Sequence, residues 1–326
     1  MERRLELWFT EEQTQDVSLS LRLRGTVHQE KTEFQDLAVF DSVAYGRVLV
    51  LDGAIQTTTA DEFVYHEMIT HVPLQAHPAP RRVAVVGGGD GGAVREILKD
   101  PAVEKVTLIE IDPAVTRVAR QFLPSIAGAL DDPRVEIRFE DGIRHMQEAR
   151  AAYDVVIVDS TDPVGPASGL FQVPFYASVA AALRDGGILV AQTESPFLEA
   201  ELLRSAYRAM RQVFPVVKVY LASVPTYPSG LWSFTLGAKT PDADPACPHR
   251  RPLSGPTKYY HAELHRSAFV LPRFVSELLE PGSSSAQPSS GLESIQEVRA
   301  SEALEAREVR QASEALKARE KEEGLV

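Results

Sequence analysis

Arg82-Val83-Ala84-Val85-Val86-Gly87-Gly88-Gly89-Asp90-Gly91-Gly92-Ala93-Val94-Arg95 is the stretch that decides the fold. Four apolar residues in a row suit a strand buried on both faces, and the glycine run lets the chain turn sharply into a helix at residues 93–99. The alternation continues downstream. Apolar strands at 106–109, 135–139, 154–158 and 188–191 lead into helical stretches at 114–122, 143–149, 175–183 and 198–214. Repeated strand–helix units predict an α/β fold with a doubly wound, mostly parallel sheet, because parallel strands need a crossover that a helix supplies. After apolar segments at 216–221 and 231–236, the Pro- and Asp-containing loop 241–248 closes the sheet, and a short helical cap runs to about residue 279.

Upstream, residues 18–24 alternate polar with apolar, and the apolar runs 37–40 and 47–51 are bounded by Asp41, Gly46, Asp52 and Gly53. This predicts a small antiparallel β domain. The chain divides into that domain at 1–70, a nucleoside-binding sheet domain at 71–280, and a tail at 281–326. The tail opens with a Ser/Pro-rich linker and continues as a charged segment, helical or disordered, in which residues 300–308 recur at 312–320. Its leucines are sparse, so it reads as a solvated helix or a marginal coiled-coil seam.

The 326 residues, 44% hydrophobic and 25% charged, are those of an ordinary globular protein of about two folding units. Cys247 has no partner for a disulfide and no Cys/His cluster for zinc, and no apolar run has signal-peptide or membrane-span length. A cytoplasmic location and no bound metal are expected. A net charge of −12 repels nucleic acid and anionic lipid, so neither is expected as a partner, whereas a cationic small molecule is.

Glycines between a strand and a helix let a ligand approach the backbone closely, and Glu110, closing the second strand, suits a ribose diol. Asp90 within the loop would repel a pyrophosphate or a carboxylate and attract an ammonium; it could also simply cap the following helix. The third strand runs into Glu140-Asp141-Gly142, where the acid can meet an adenine amino group or, again, cap a helix. The fourth runs into Asp159-Ser160-Thr161-Asp162-Pro163, with two carboxylates three residues apart where α/β sheets bind ligands. Such a pair could hold Mg²⁺, but no histidine or phosphate-binding lysine accompanies it.

Taken with Leu51-Asp52-Gly53-Ala54-Ile55-Gln56, the stretch from Asp61 to Met68 and Pro225-Thr226-Tyr227-Pro228-Ser229-Gly230, these motifs resemble the polyamine aminopropyltransferases over about residues 5–275. The resemblance implies a Rossmann-like, methyltransferase-type sheet behind the small β domain, assembled as a homodimer or homotetramer. It implies aminopropyl transfer from decarboxylated S-adenosylmethionine, a co-substrate rather than a bound cofactor, to putrescine, giving spermidine and methylthioadenosine. By the same resemblance Glu110 holds the ribose, Asp141 and Gly142 the adenine, and Gln35 and Pro166 line the nucleoside site. Asp90 and His66 lie along the aminopropyl and polyamine path. Asp159 is the general base, while Asp162, Tyr65 and Tyr227 orient the diamine. The loop 164–171 is expected to close over the reacting groups. Gln56 and Glu194, at strand or turn ends facing the same side, read equally as solvated polar residues. Agmatine, cadaverine or spermidine are the alternative acceptors. Outside the family, the rivals are an S-adenosylmethionine methyltransferase, an NAD-dependent oxidoreductase and a polyamine-binding scaffold.

Overall fold

The computed structural model describes residues 6–160 and 169–280, so Asp162, Pro166, most of the expected closing loop and the tail from 281 lie outside the described residues. The chain opens with five strands, β1 (Leu7–Thr14), β2 (Val17–Lys31), β3 (Asp36–Ser42), β4 (Gly46–Leu51) and β5 (Ala54–Thr58), paired in sequence order as an antiparallel sheet. One face of this sheet buries Leu21, Val48, Val50 and Ile55; the other contributes Leu37, Val39, Leu49 and Leu51 to the main core. Of the residues expected to bound these strands, Gly46 opens β4 and Asp52 and Gly53 form the turn into β5, whereas Asp41 lies within β3, paired with Arg47; Gly46 and Gly53 have φ values of +69° and +80°, which favour glycine.

Next come α1 (Glu62–Ala76) and a seven-stranded sheet: β6 (Arg82–Gly87), β7 (Lys105–Glu110), β8 (Val135–Phe139), β9 (Tyr153–Asp159), β10 (Leu183–Gln192), β11 (Val216–Ser223) and β12 (Leu231–Ala238). Their order is β11-β12-β10-β9-β6-β7-β8, parallel from β10 to β8 and antiparallel at β12 and β11. The four apolar residues of β6 are covered on both faces, as a strand inside a parallel sheet must be. Because β7 lies on one side of β6 and β9 on the other, the winding reverses there, and a crevice opens outside the carboxyl ends of these strands. Around the sheet lie α2 (Gly92–Ile97), α3 (Pro113–Phe122), α4 (Pro124–Ala127), α5 (Gly142–Glu148), α6 (Val173–Ala182) and α7 (Ala200–Arg211). The C-terminal cap is α8 (Ala262–Ala268) and α9 (Arg273–Leu279).

The boundary expected between residues 70 and 71 falls inside α1. Helix α1 packs on α2 and against β9, β10 and β11, so the change of sheet comes just after Thr58, and α1 belongs to the second unit. Nearly every residue of α1 is buried, which leaves no amphipathic stripe in its sequence to announce a helix. Among the described residues, no helix is long and apolar enough to cross a membrane.

Glu67 ties the cap to α1. Its buried carboxylate accepts hydrogen bonds from the backbone N–H groups of Lys258, Tyr259 and Tyr260, each at 2.8 Å. Glu67→Ala takes the acceptor from all three donors, of which that of Tyr260 is buried, and urea unfolding is expected to show a loss on the order of 2 kcal/mol.

Candidate active site

A cavity at the carboxyl ends of β6 and β9 is lined from the N-terminal sheet by Glu11, Leu49, Leu51, Ile55 and Gln56. Its other wall carries residues 87–90, Glu110, Asp141 and Asp159. The register sets this up: Gly87 pairs with Asp159 across β6 and β9, so the glycine turn and the acid that ends β9 are neighbours. Glycine is required there. A Cβ on Gly87 would sit 2.2 Å from the Asp159 carbonyl oxygen, one on Gly88 2.7 Å from Asp159 Oδ2, and one on Gly89 2.5 Å from Glu110 Oε2.

At the end of β7, Glu110 accepts from the N–H of Gly89 at 3.0 Å and of Asp112 at 2.9 Å. Burial outweighs these bonds and pushes its carboxyl up to about 7. Beside it, Gln35 donates its amide to Asp112 Oδ2 at 2.9 Å. Asp141 caps α5 through the N–H of Ile143 at 2.7 Å while lining the cavity with Gly142, so capping and a place at the site coexist.

Asp90 is likewise divided. Its Oδ1 accepts from the N–H of Gly92 at 2.8 Å, and its Oδ2 faces His66 Nε2 at 3.4 Å. His66 Nδ1 lies 2.6 Å from Glu62 Oε2, and Glu62 receives both terminal nitrogens of Arg95, at 3.0 and 2.8 Å. Burial disfavours a charged imidazole, but Asp90 and Glu62 together raise its pKa well above the ordinary value. Despite its own burial, Glu62 is held down to about 2 by His66 and Arg95.

Tyr65, on α1, donates its hydroxyl to Asp159 Oδ1 at 2.7 Å. Asp159 Oδ2 is closed to solvent and has no hydrogen-bond partner among the described residues. Burial pushes this carboxyl up to about 6, reinforced by Asp90 and opposed by His66 and the Tyr65 hydroxyl. Tyr227 stands 5.4 Å from the Tyr65 ring and 4.6 Å from that of Trp232, and donates to the Gln56 carbonyl at 2.7 Å. The wall between Tyr65, Tyr227 and Trp232 is therefore aromatic, with carboxylates at its edge.

Two acids that the sequence reading did not single out join this region. Glu11, from β1, lines the cavity and accepts from the N–H of Ile55 at 2.9 Å. Asp61, before α1, accepts from the Thr58 hydroxyl at 2.6 Å and from the N–H and hydroxyl of Thr226 at 3.0 and 2.7 Å, fastening the Tyr227 loop to both units. Glu11 sits among polar neighbours on an edge strand, and Asp61 just before a helix. Neither position carries a local signal for a site. Glu194 is buried behind Gln192, which lines the cavity and donates to it at 3.2 Å, so it is not a solvated surface acid.

The family model for the spermine/spermidine synthase domain matches residues 62–245, and that for the spermidine synthase tetramerisation domain matches residues 7–59. The polyamine aminopropyltransferase of Moorella thermoacetica is 55% identical over 274 residues, 84% of this chain and 96% of that protein. That of Bacillus subtilis is 50% identical over 275 residues, 84% of this chain and 99% of that protein. A spermidine synthase crystallised with the transition-state analogue AdoDATO superposes with a TM-score of 0.81 at 39% identity, covering 85% of this chain and 96% of that one. The Thermotoga maritima spermidine synthase gives a TM-score of 0.78 at 37% identity, over 85% and 95% of the two chains.

Burial pushes the Glu194 carboxyl up to about 8, with Glu199 and Glu11 acting in the same direction. Its raised folded-state pKa contributes stability below the ordinary value, 4.5, that is lost as the pH rises to about 8. Glu194→Gln removes this dependence. Its urea midpoint is expected to match the parent near the acid end of that window and to exceed it increasingly toward the alkaline end.

Proposed function

The chain belongs to the spermine/spermidine synthase family, and from that premise we propose that it transfers the aminopropyl group of decarboxylated S-adenosylmethionine to putrescine, with Asp159 as general base. The observation that carries this reading is the half-buried Asp159, whose carboxylate is held by Tyr65 at one oxygen while the other, closed to solvent, has no partner among the described residues, in the same cavity as the glycine loop and Asp90.

Glu110, with both oxygens already oriented by backbone donors, is placed to accept the ribose hydroxyls, and Asp141, Gly142 and Gln35 border the adenine end. Asp90 selects the donor by charge: it attracts the ammonium and disfavours the carboxylate that ordinary S-adenosylmethionine would bring to the same place. At the other end the aromatic faces of Tyr65, Tyr227 and Trp232 attract an alkylammonium, and Glu11 adds charge near the far wall for the second ammonium of a diamine. Asp162 and Pro166 keep the roles their motif implies, outside the described residues.

A primary amine with a pKa near 10.4 is protonated at neutral pH and has no lone pair to offer. Asp159 takes one proton from the acceptor ammonium. The freed lone pair attacks the carbon bonded to the sulfonium, the C–N bond forms as the C–S bond breaks, and the bonding pair returns to sulfur, leaving neutral methylthioadenosine. A carboxyl raised to about 6 is ionised at neutral pH yet more basic than an exposed aspartate, which suits a base working on a cationic substrate. Tyr65 stays protonated, since burial and the adjacent Asp159 raise its pKa well above the usual phenol value, and so remains a hydrogen-bond donor to that base.

The enzyme is further proposed to act in the cytoplasm as a homo-oligomer assembled through the N-terminal sheet, whose Leu7 and Trp8 are 46% and 55% exposed in the isolated chain.

Purified protein with decarboxylated S-adenosylmethionine and a panel of putrescine, cadaverine, agmatine and spermidine tests the reading. Fast transfer to putrescine is expected; preference for another amine would reassign the acceptor, and no product from any would overturn the transfer. Asp159→Asn is expected to lose turnover by roughly 10²–10⁴-fold while still binding methylthioadenosine by calorimetry. The acid limb of kcat/KM for the parent enzyme should rise through about pH 6, as Asp159 loses its proton.

A further inference from the structure

We propose that Glu62, with Arg95 behind it, is a positioning residue for the reaction: it clamps His66 over Gly92 with Nε2 turned to Asp90, so that a positive ring faces the carboxylates that must receive the substrate amines. This rests on the aminopropyl transfer proposed above and goes beyond it, because neither Glu62 nor Arg95 lines the cavity.

The geometry is specific. Helix α1 brings Glu62 and His66 together one turn apart, with Glu62 Oε2 2.6 Å from Nδ1. Arg95, from α2, engages both oxygens of Glu62, and its Nε is held by Glu96 Oε1 at 2.9 Å. The ring lies directly on the first turn of α2, where a Cβ on Gly92 would come within 2.2–2.5 Å of three of its atoms. It therefore has little room to rotate, and its second nitrogen is aimed at Asp90 Oδ2 at 3.4 Å. His66 and Glu62 are both buried, so water does not screen the contacts.

The charged and titratable groups facing the ring are Glu62 and Tyr65 from its own helix, Asp90 and Arg95 from the loop and helix after β6, and Asp159 from β9. Two neighbouring buried carboxylates suppress each other's ionisation, and a cation between them and a third carboxylate relieves this. Glu62 keeps the imidazole protonated; the imidazolium in turn favours ionised Asp159, the form that can accept a proton. Removing the charge of Glu62 should lower the basicity of His66 and raise that of Asp159.

The test is a pH profile of kcat/KM for the parent, Glu62→Gln, Glu62→Asp, His66→Gln and the double variant Glu62→Gln/His66→Gln, with melting temperatures recorded for each. Glu62→Gln is expected to move the acid limb up by roughly one pH unit, with Glu62→Asp restoring most of the shift. The double variant should match His66→Gln, because Glu62 acts through the ring. A uniform loss of kcat with the limb in place, or an additive shift in the double variant, would overturn the proposal. If Glu62→Gln does not fold, Glu62→Asp carries the test through a smaller displacement of the same sign, and an unmoved limb counts against it. NMR titration of the His66 ring needs no turnover. A parent enzyme inactive with every amine would overturn the proposed function, while a ring equally basic in the parent and in the folded Glu62 variant would overturn this one.

Discussion

The site depends on the close approach of two backbones, the turn after β6 and the end of β9. They are adjacent parallel strands at the point where the winding reverses, and Gly87 stands across from Asp159. Side chains at 87, 88 or 89 would collide with the main chain of Asp159, its carboxylate or the Glu110 carboxylate. The absence of Cβ atoms thus serves two ends: it lets the loop turn, and it leaves both acids room to stand against the loop. Moving either strand in register would part Asp159 from the glycine turn.

Burying acids is costly, and the structure manages the cost differently at each position. Asp90, His66, Glu62 and Arg95 follow one another with alternating sign, Glu62 being hydrogen-bonded to both His66 and Arg95, so the charges of His66 and Glu62 persist. Glu110 and Asp159 instead have few compensating partners, and their carboxyls are raised to about 7 and about 6. A carboxyl of raised pKa can take up a proton near neutral pH and pass it on.

A buried acid crosses between the two sheets, and others brace the segments beside it. Asp61 joins the end of β5 to the Tyr227 loop between β11 and β12, while Glu11 on β1 braces the cavity wall within the N-terminal sheet by accepting from the N–H of Ile55. Glu67 fixes the C-terminal cap to α1 in the same way, through three backbone donors. Each carboxylate satisfies main-chain groups that would otherwise be orphaned where irregular segments meet, and this converts loops that carry functional side chains into fixed supports.

The sequence by itself determined the doubly wound sheet, the glycine turn and the acids that close its strands, because these signals are local: strand burial shows as an apolar run, and a sharp turn as glycine. It marked Asp90, Glu110, Asp141 and Asp159 for the same reason, since a strand's carboxyl end can be read from where its apolar run stops. Helix α1 was not legible, because burial on almost every side erases helical periodicity, and the domain boundary drawn at residue 70 cut through it. Only the tertiary structure decided that Asp90 both accepts from the N–H of Gly92 and faces His66, that Glu11 lines the cavity, that Asp61 fastens the Tyr227 loop and that Glu62 joins His66 to Arg95. Those roles arise from contacts between residues distant in the chain or from the packing of one helix on another, and an acid beside a turn or on an edge strand looks the same in sequence whether or not a partner meets it.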